Sequence, residues 1–172
     1  MTGPPIVYPP PAWSNQDIVL YHGTVDSYAA AIVAGVRVSL GKPRTDFGPG
    51  FHTTTVISQA HTWAAEIAAT RPSTSAAVIE ITVLREALAS LETLAFVRGH
   101  KDADDFWSFV HYCRKGATDH GRPNYPHYFD IVYGPVASKW NQRLIIADAD
   151  QISFHTTKAE IVLNKSIRKR II

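Results

Sequence analysis

The chain has 172 residues, with 17 Lys and Arg against 15 Asp and Glu, for a formal charge of +2. That length is enough for one domain with a sizeable core, and 45% apolar with 19% charged residues excludes a collagen-like or wholly disordered chain. Cys113 is the only cysteine, which excludes an intramolecular disulfide and a thiolate zinc cluster.

The opening stretch, residues 1–14, is rich in proline (Pro4, Pro5, Pro9, Pro10, Pro11) and is expected to be extended. It lacks the basic start and long apolar run of a signal peptide, and no stretch is long enough to span a bilayer. The expectation is a cytoplasmic protein with no membrane partner, folded as a single domain over residues 15–172.

Ile18 to Tyr21 reads as a buried strand. Asp26 is the expected N-cap of a helix from Ser27 to Ala34, with Gly35 at its C-cap. Val36 to Leu40 reads as extended, and Gly41 to Gly50 as a loop. A short strand follows over Phe51 to Thr54. Ile57, Ala60, Ala64, Ile67 and Ala68 then fall on one helical stripe, stopped at Arg71-Pro72-Ser73. Ala77 to Leu84 alternates as a half-buried strand. Asp102 is the expected cap of a helix reaching Lys115, with Gly116 ending it and Phe106, Phe109, Val110 and Cys113 on its apolar face. Cys113 therefore reads as a buried, inert thiol. Thr118 to His127 is a loop by composition. Phe129 to Tyr133 reads as a strand closed by Gly134-Pro135, Ile152 to His155 as the last strand, and Lys158 to Leu163 as a short helix. The basic run from Lys165 to Arg170 reads as a solvated end. The fold class is α+β, with short strands and interleaved helices.

Three short motifs could carry chemistry. In Tyr21-His22-Gly23-Thr24, a histidine and a glycine close a strand. The glycine lets a planar ligand approach the backbone, and one residue's N–H and C=O can satisfy a carboxamide. In Asp46-Phe47-Gly48-Pro49-Gly50-Phe51-His52, two glycines around a proline make a tight loop flanked by aromatics. Asp46 and Arg44 could meet ribose or phosphate groups there. In Asp150-Gln151-Ile152-Ser153-Phe154-His155, alternation puts Gln151, Ser153 and His155 on one face and points Asp150 away from Gln151. The histidines show no metal-ligand spacing, so no metal is expected.

Together these motifs resemble the bacterial ADP-ribosyltransferase-like families of the diphtheria-toxin and poly-ADP-ribose-polymerase branch. The likeness covers roughly residues 18 to 163. It is greatest for an uncharacterised bacterial family with a Tyr-His-Gly start, an Asp-Phe-Gly-x-Gly-Phe centre and an Asp-Gln-hydrophobic-Ser-Phe-His end.

The resemblance implies a split antiparallel sheet with helices around it and an NAD cleft between its halves. It implies transfer of ADP-ribose from NAD to a macromolecular acceptor, protein or nucleic acid, with a possible antitoxin partner in a toxin–antitoxin or phage-defence system. His22, His52 and Gln151 would then be the catalytic set, with Asp46 assisting electrostatically. Tyr21, His22, Gly23, Thr24, Arg44, Phe51, His52 and Ser153 would bind NAD. His52 stands where the family usually has tyrosine, and Gln151 where it usually has glutamate. A glutamine holds a ribose hydroxyl but is no general base. An NAD glycohydrolase of the same fold, or a degenerate binding module, is the alternative that these replacements keep open.

Overall fold

The computed structural model describes residues 16–98, 103–123 and 127–172. The proline-rich segment 1–14 and the expected cap Asp102 lie outside the described residues.

Two sheets are built from β1 (Ile18–Val25), β2 (Phe51–Thr53), β3 (Ala76–Val83), β4 (Thr93–Ala95), β5 (Ile131–Lys139), β6 (Leu144–Phe154) and β7 (Ile167–Arg170). One runs β1-β3-β7 and is antiparallel; the other runs β2-β6-β5-β4. The α-helices are α1 (Asp26–Ala34), α2 (Ile57–Ala69), α3 (Arg85–Ala89), α4 (Ala103–Arg114) and α5 (Thr157–Lys165). The expected α+β class is observed. The second sheet is mixed, because β4 pairs parallel to β5 across a connection that holds α4. A parallel pair needs such a crossover, and Thr93-Leu94-Ala95 is too short to announce itself as a strand.

Among the described residues one isolated backbone bridge joins the sheets, which also share the main core. Tyr21 and Thr54 form an isolated antiparallel bridge, with N···O distances of 2.8 and 2.9 Å. The main core lies under Leu20, Ile79, Ile81, Phe154 and Leu163. A second cluster joins Phe47 to Phe106, Val110 and Val132. A third packs Ala60 and Ala64 of α2 against Val78.

Several expectations are corrected. Asp26 is the first helical residue of α1, not its cap; Val25 holds the cap position, and the Asp26 carboxylate accepts from the Ser27 N–H. Val38 to Leu40 form a 3-10 turn rather than an extended segment, with Gly41 N–H returning to the Val38 carbonyl. β5 does not stop at Gly134-Pro135. It continues to Lys139, and the register shifts after Pro135, which is how a strand accommodates a residue without an N–H. β6 begins at Leu144, so Gln151 lies inside a long strand rather than opening it.

The basic run is not a loose end. Ile167–Arg170 is β7, Lys169 pairs with Glu80 at 2.8 Å, and Arg168 donates to the carbonyls of Val33 and Leu163. Arg168 thereby satisfies carbonyls at the ends of α1 and α5. Among the described residues no helix is long and apolar enough to cross a membrane.

Gly23 sets the distance between α2 and β1. A Cβ built there would lie 2.3 Å from the Ala60 carbonyl oxygen and 3.1 Å from the Ala64 nitrogen. Gly23→Ala is therefore expected to destabilise the fold by about 1–3 kcal/mol or more, since helix backbone cannot give way as a side chain can. Chemical denaturation that shows no loss would contradict this packing.

Candidate functional site

The site is assembled where β1 and β2 part. Both backbone groups of Tyr21 are bonded to Thr54, so they face away from β3. Antiparallel parity then makes His22↔Ile79 and Thr24↔Ala77 the hydrogen-bonded pairs of the β1–β3 ladder. The N–H and C=O of Gly23 fall between them and point to the same side as those of Tyr21, into the gap beyond the bridge. They form one donor and one acceptor outside the ladder, in a residue that is buried.

His22 closes the gap. Its Nδ1–H donates to the His52 carbonyl at 2.7 Å, and its ring stacks on Phe51 with centroids 4.3 Å apart. Burial lowers its pKa to about 4, so the ring is neutral. With the proton fixed on Nδ1, Nε2 is an acceptor that has no hydrogen-bond partner among the described residues.

Next to this lies the Asp46–Gly50 loop, held chiefly by side chains. Three successive carbonyls each meet a histidine from a different part of the chain. His120 Nε2 donates to Phe47 O at 3.1 Å, His52 Nε2 to Gly48 O at 3.1 Å, and His155 Nδ1 to Pro49 O at 2.8 Å. The Thr45 hydroxyl also donates to Gly48 O. The other nitrogen of His120 accepts from the Phe129 N–H at 3.0 Å, and that of His155 from the Ser153 hydroxyl at 2.7 Å. The Phe129 N–H bond requires a neutral His120 ring, and burial favours the uncharged form of all three. Burial lowers His120 to about 4, lowers His52, and pushes His155 well below its ordinary value.

Asp46 anchors the start of the loop. One carboxylate oxygen takes Arg114, at 2.6 Å from Nη2 and 2.8 Å from Nε. The other accepts from the Ala137 N–H at 2.8 Å and from Gln151 Nε2 at 2.9 Å. Gln151 also donates to Pro135 O at 3.0 Å. One line of bonds runs Arg114–Asp46–Gln151 and another His22–His52–Gly48, and the Asp46–Gly50 loop joins the two. The structure brings His22, Gly23, His52, Asp46 and Gln151 into one connected assembly. Asp150 points the other way, to Thr54 and Thr55.

The remaining candidates sit differently. Phe51 is a core residue that orients His22. Tyr21 packs toward Ala60 and Ala64, and Thr24 is buried in β1. Ser153 is fully buried, with its hydroxyl given to His155 at 2.7 Å and Val132 O lying farther off at 3.3 Å. Arg44 is exposed, with φ 62° and its side chain beside Gly116. Cys113 is buried and pushed up to about 12 by that burial, as an inert thiol requires. Among the described residues no three histidine, cysteine or acidic side chains are placed to share a metal ion. Neither the 290 Å³ pocket at Tyr133 and Asp148 nor the 540 Å³ groove at α1 and β7 is lined by His22, His52 or Gln151.

Sequence reasoning missed Arg114 and His120. Arg114 sits in the last turn of α4, and its partner Asp46 is 68 residues away. No local spacing signals such a pair.

A family model described as a protein of unknown function (DUF3990) matches residues 18–147, most of the chain. The chain belongs to that family. The matched span includes His22, Asp46 and His52 and ends before Gln151. A search of curated proteins finds no match.

Two outcomes follow from this geometry. Asp46→Ala leaves Arg114, Gln151 and the Ala137 N–H without their acceptor, and an expected loss of about 3–5 kcal/mol is readable by urea denaturation. Arg44→Ala should stay within about 0.5 kcal/mol of the parent. In the unfolded chain these histidines titrate near 6.5, whereas folded His22 and His120 do so near 4. Between those values the unfolded chain binds more protons, so stability is fully present above pH 6.5 and falls as pH drops toward 4. Tm should decline steadily below about pH 6.5, with proton uptake on unfolding. A flat profile down to about pH 5 would rule out neutral clamping rings.

Proposed function

We propose that this DUF3990 member transfers ADP-ribose from NAD to a macromolecule. The observation that carries the reading is the N–H and C=O of Gly23, which no described residue pairs, set beside the His22 Nε2, also without a partner among the described residues, where the two sheets part. A nicotinamide carboxamide matches that pair: its oxygen accepts from the Gly23 N–H and its N–H donates to the Gly23 carbonyl. The neutral His22 Nε2 accepts from a ribose hydroxyl. The gap between the β1-β3-β7 and β2-β6-β5-β4 sheets is then the NAD cleft of a split-sheet transferase fold.

In the reaction, the bond from ribose C1′ to the nicotinamide nitrogen breaks and its electron pair leaves with nicotinamide. An oxocarbenium-like ribose is attacked by the acceptor's nucleophile, which gives up a proton. Gln151 orients rather than deprotonates, and Asp46 fixes Gln151 through its amide. Asp46, the carboxylate that holds Gln151, lends negative charge that favours the cationic transition state, moderated by its pairing with Arg114.

One observation favours a second reading. Both Nε2 hydrogens of Gln151 are already bound, to Asp46 and Pro135, so no carboxylate or free amide donor from β6 reaches the cleft. Hydrolysis of NAD by water, or NAD binding without turnover, needs less of that residue than macromolecular transfer does.

The test is incubation of purified protein with NAD and cell lysate, following free nicotinamide and attached ADP-ribose together. Transfer gives both signals, and His22→Ala lowers them by about 100-fold or more if the ring positions the ribose. Nicotinamide without attachment identifies a glycohydrolase. Nicotinamide alone should perturb the Gly23 amide in a ¹H–¹⁵N spectrum; no perturbation at Gly23 or its neighbours sinks the reading.

A further inference from the structure

β7 is the outer strand of its sheet: among the described residues no strand pairs beyond it. Its register with β3, together with the Ile171 N–H bond to the Val78 carbonyl at 2.9 Å, points the backbone groups of Ile167 and Lys169 inward. By alternation, the N–H and C=O of Arg168 and Arg170 face outward. Beside that edge runs a groove of about 540 Å³. Its floor is Ala29, Ala30, Val33 and Ala34 of α1, and Arg168, Lys169 and Arg170 form one wall. Asp26 stands among the lining residues. On the other face of the strand Ile167 is 71% exposed.

We propose that this edge and groove are a docking surface for an extended, acidic segment of a partner protein, which adds to the β1-β3-β7 sheet as a fourth strand. Strand addition supplies affinity through the outward backbone groups of Arg168 and Arg170, and alternate side chains enter the neighbouring pocket. Small apolar side chains fit the alanine-lined floor of α1.

Charge selects the occupant. The Arg168 guanidinium is pinned on the carbonyls of Val33 and Leu163, so its charge cannot swing away from the edge. Arg170 is held by Ile172 O on the same face. A second copy pairing edge to edge would bring these arginines against each other, and like charges across a strand pair are destabilising. Acidic residues at the same places are attracted. This surface stands on its own geometry, independently of the NAD reading.

The probe is a fluorescent heptapeptide alternating glutamate and valine, compared with its lysine–valine counterpart by anisotropy on the full chain. The glutamate peptide should bind saturably, at least about 10-fold tighter than the lysine peptide, with amide shifts centred on Arg168, Arg170 and α1. Arg170→Pro removes an outward N–H without touching the ladder to β3, so it should weaken binding about 10-fold while the melting curve is kept. Should that variant unfold, Arg170→Glu serves instead and should narrow or invert the preference between the peptides. Absent binding, equal binding of both peptides, or binding indifferent to both variants overturns the proposal. A dimer in sedimentation that Arg170→Pro dissolves overturns it in favour of a second copy.

Discussion

The carboxylate of Asp46 is the point on which the rest of the site depends. It is 3% exposed, and it gathers an arginine from α4, a backbone N–H from β5 and a glutamine amide from β6. A buried carboxylate is costly unless each oxygen is satisfied, and here both are. Its bonds fix where the loop enters the core. From there Phe47 drives into the second apolar cluster, and the following carbonyls are carried past three histidines. A loop whose polar backbone is buried must have partners for it, and ladder bonds are not open to a turn of Gly48-Pro49-Gly50. Imidazoles solve this because each gives a donor on one side and an acceptor on the other while staying uncharged.

The loop in turn sets the opening between the sheets. His52 serves it twice, with its ring on Gly48 and its carbonyl on His22. If β2 continued its pairing with β1 past Tyr21 and Thr54, Gly23 would lie opposite His52 in an ordinary ladder. Instead the His22 side chain takes the His52 carbonyl, and the backbone groups of Gly23 are left to the gap. The tight approach of α2 explains why this residue is glycine whatever binds there. The close packing and the open edge are thus two demands on one position, and only the second points to a ligand.

Much of the fold was legible. The stripes of α2 and α4, the alternation of β3 and the face shared by Gln151, Ser153 and His155 follow from local periodicity, and each is observed except that Ile57, at the start of the α2 stripe, is exposed. What sequence concealed was set by long-range pairing. Pro135 reads as a strand end, yet a register shift carries β5 past it. The basic run reads as a solvated end, and Lys169 and Arg170 are exposed, yet Arg168 satisfies helix-end carbonyls and the run forms the outer strand of its sheet. In the site, His22, Gly23 and His52 were legible because each lies in a short strand next to a turn signal, the first two in β1 and the third in β2. Asp46 was picked out for its charge, but its bonds to Arg114 and Gln151 depend on partners 68 and 105 residues away.

Neutrality of the imidazoles links stability to chemistry. His120 and His155 use their second nitrogens as acceptors within the fold; the second nitrogen of His22 has no partner among the described residues. The same burial that keeps the clamping rings uncharged also keeps Nε2 of His22 an acceptor rather than a donor. Protonation would reverse that role at His22 and break the Phe129 and Ser153 contacts at the other two. Acid therefore acts on the opening and on its scaffold through one physical cause. Tyrosine in place of His52 would put a single hydroxyl at the end of a longer ring, whereas the imidazole Nε2 here lies 3.1 Å from both Gly48 O and the Thr45 hydroxyl.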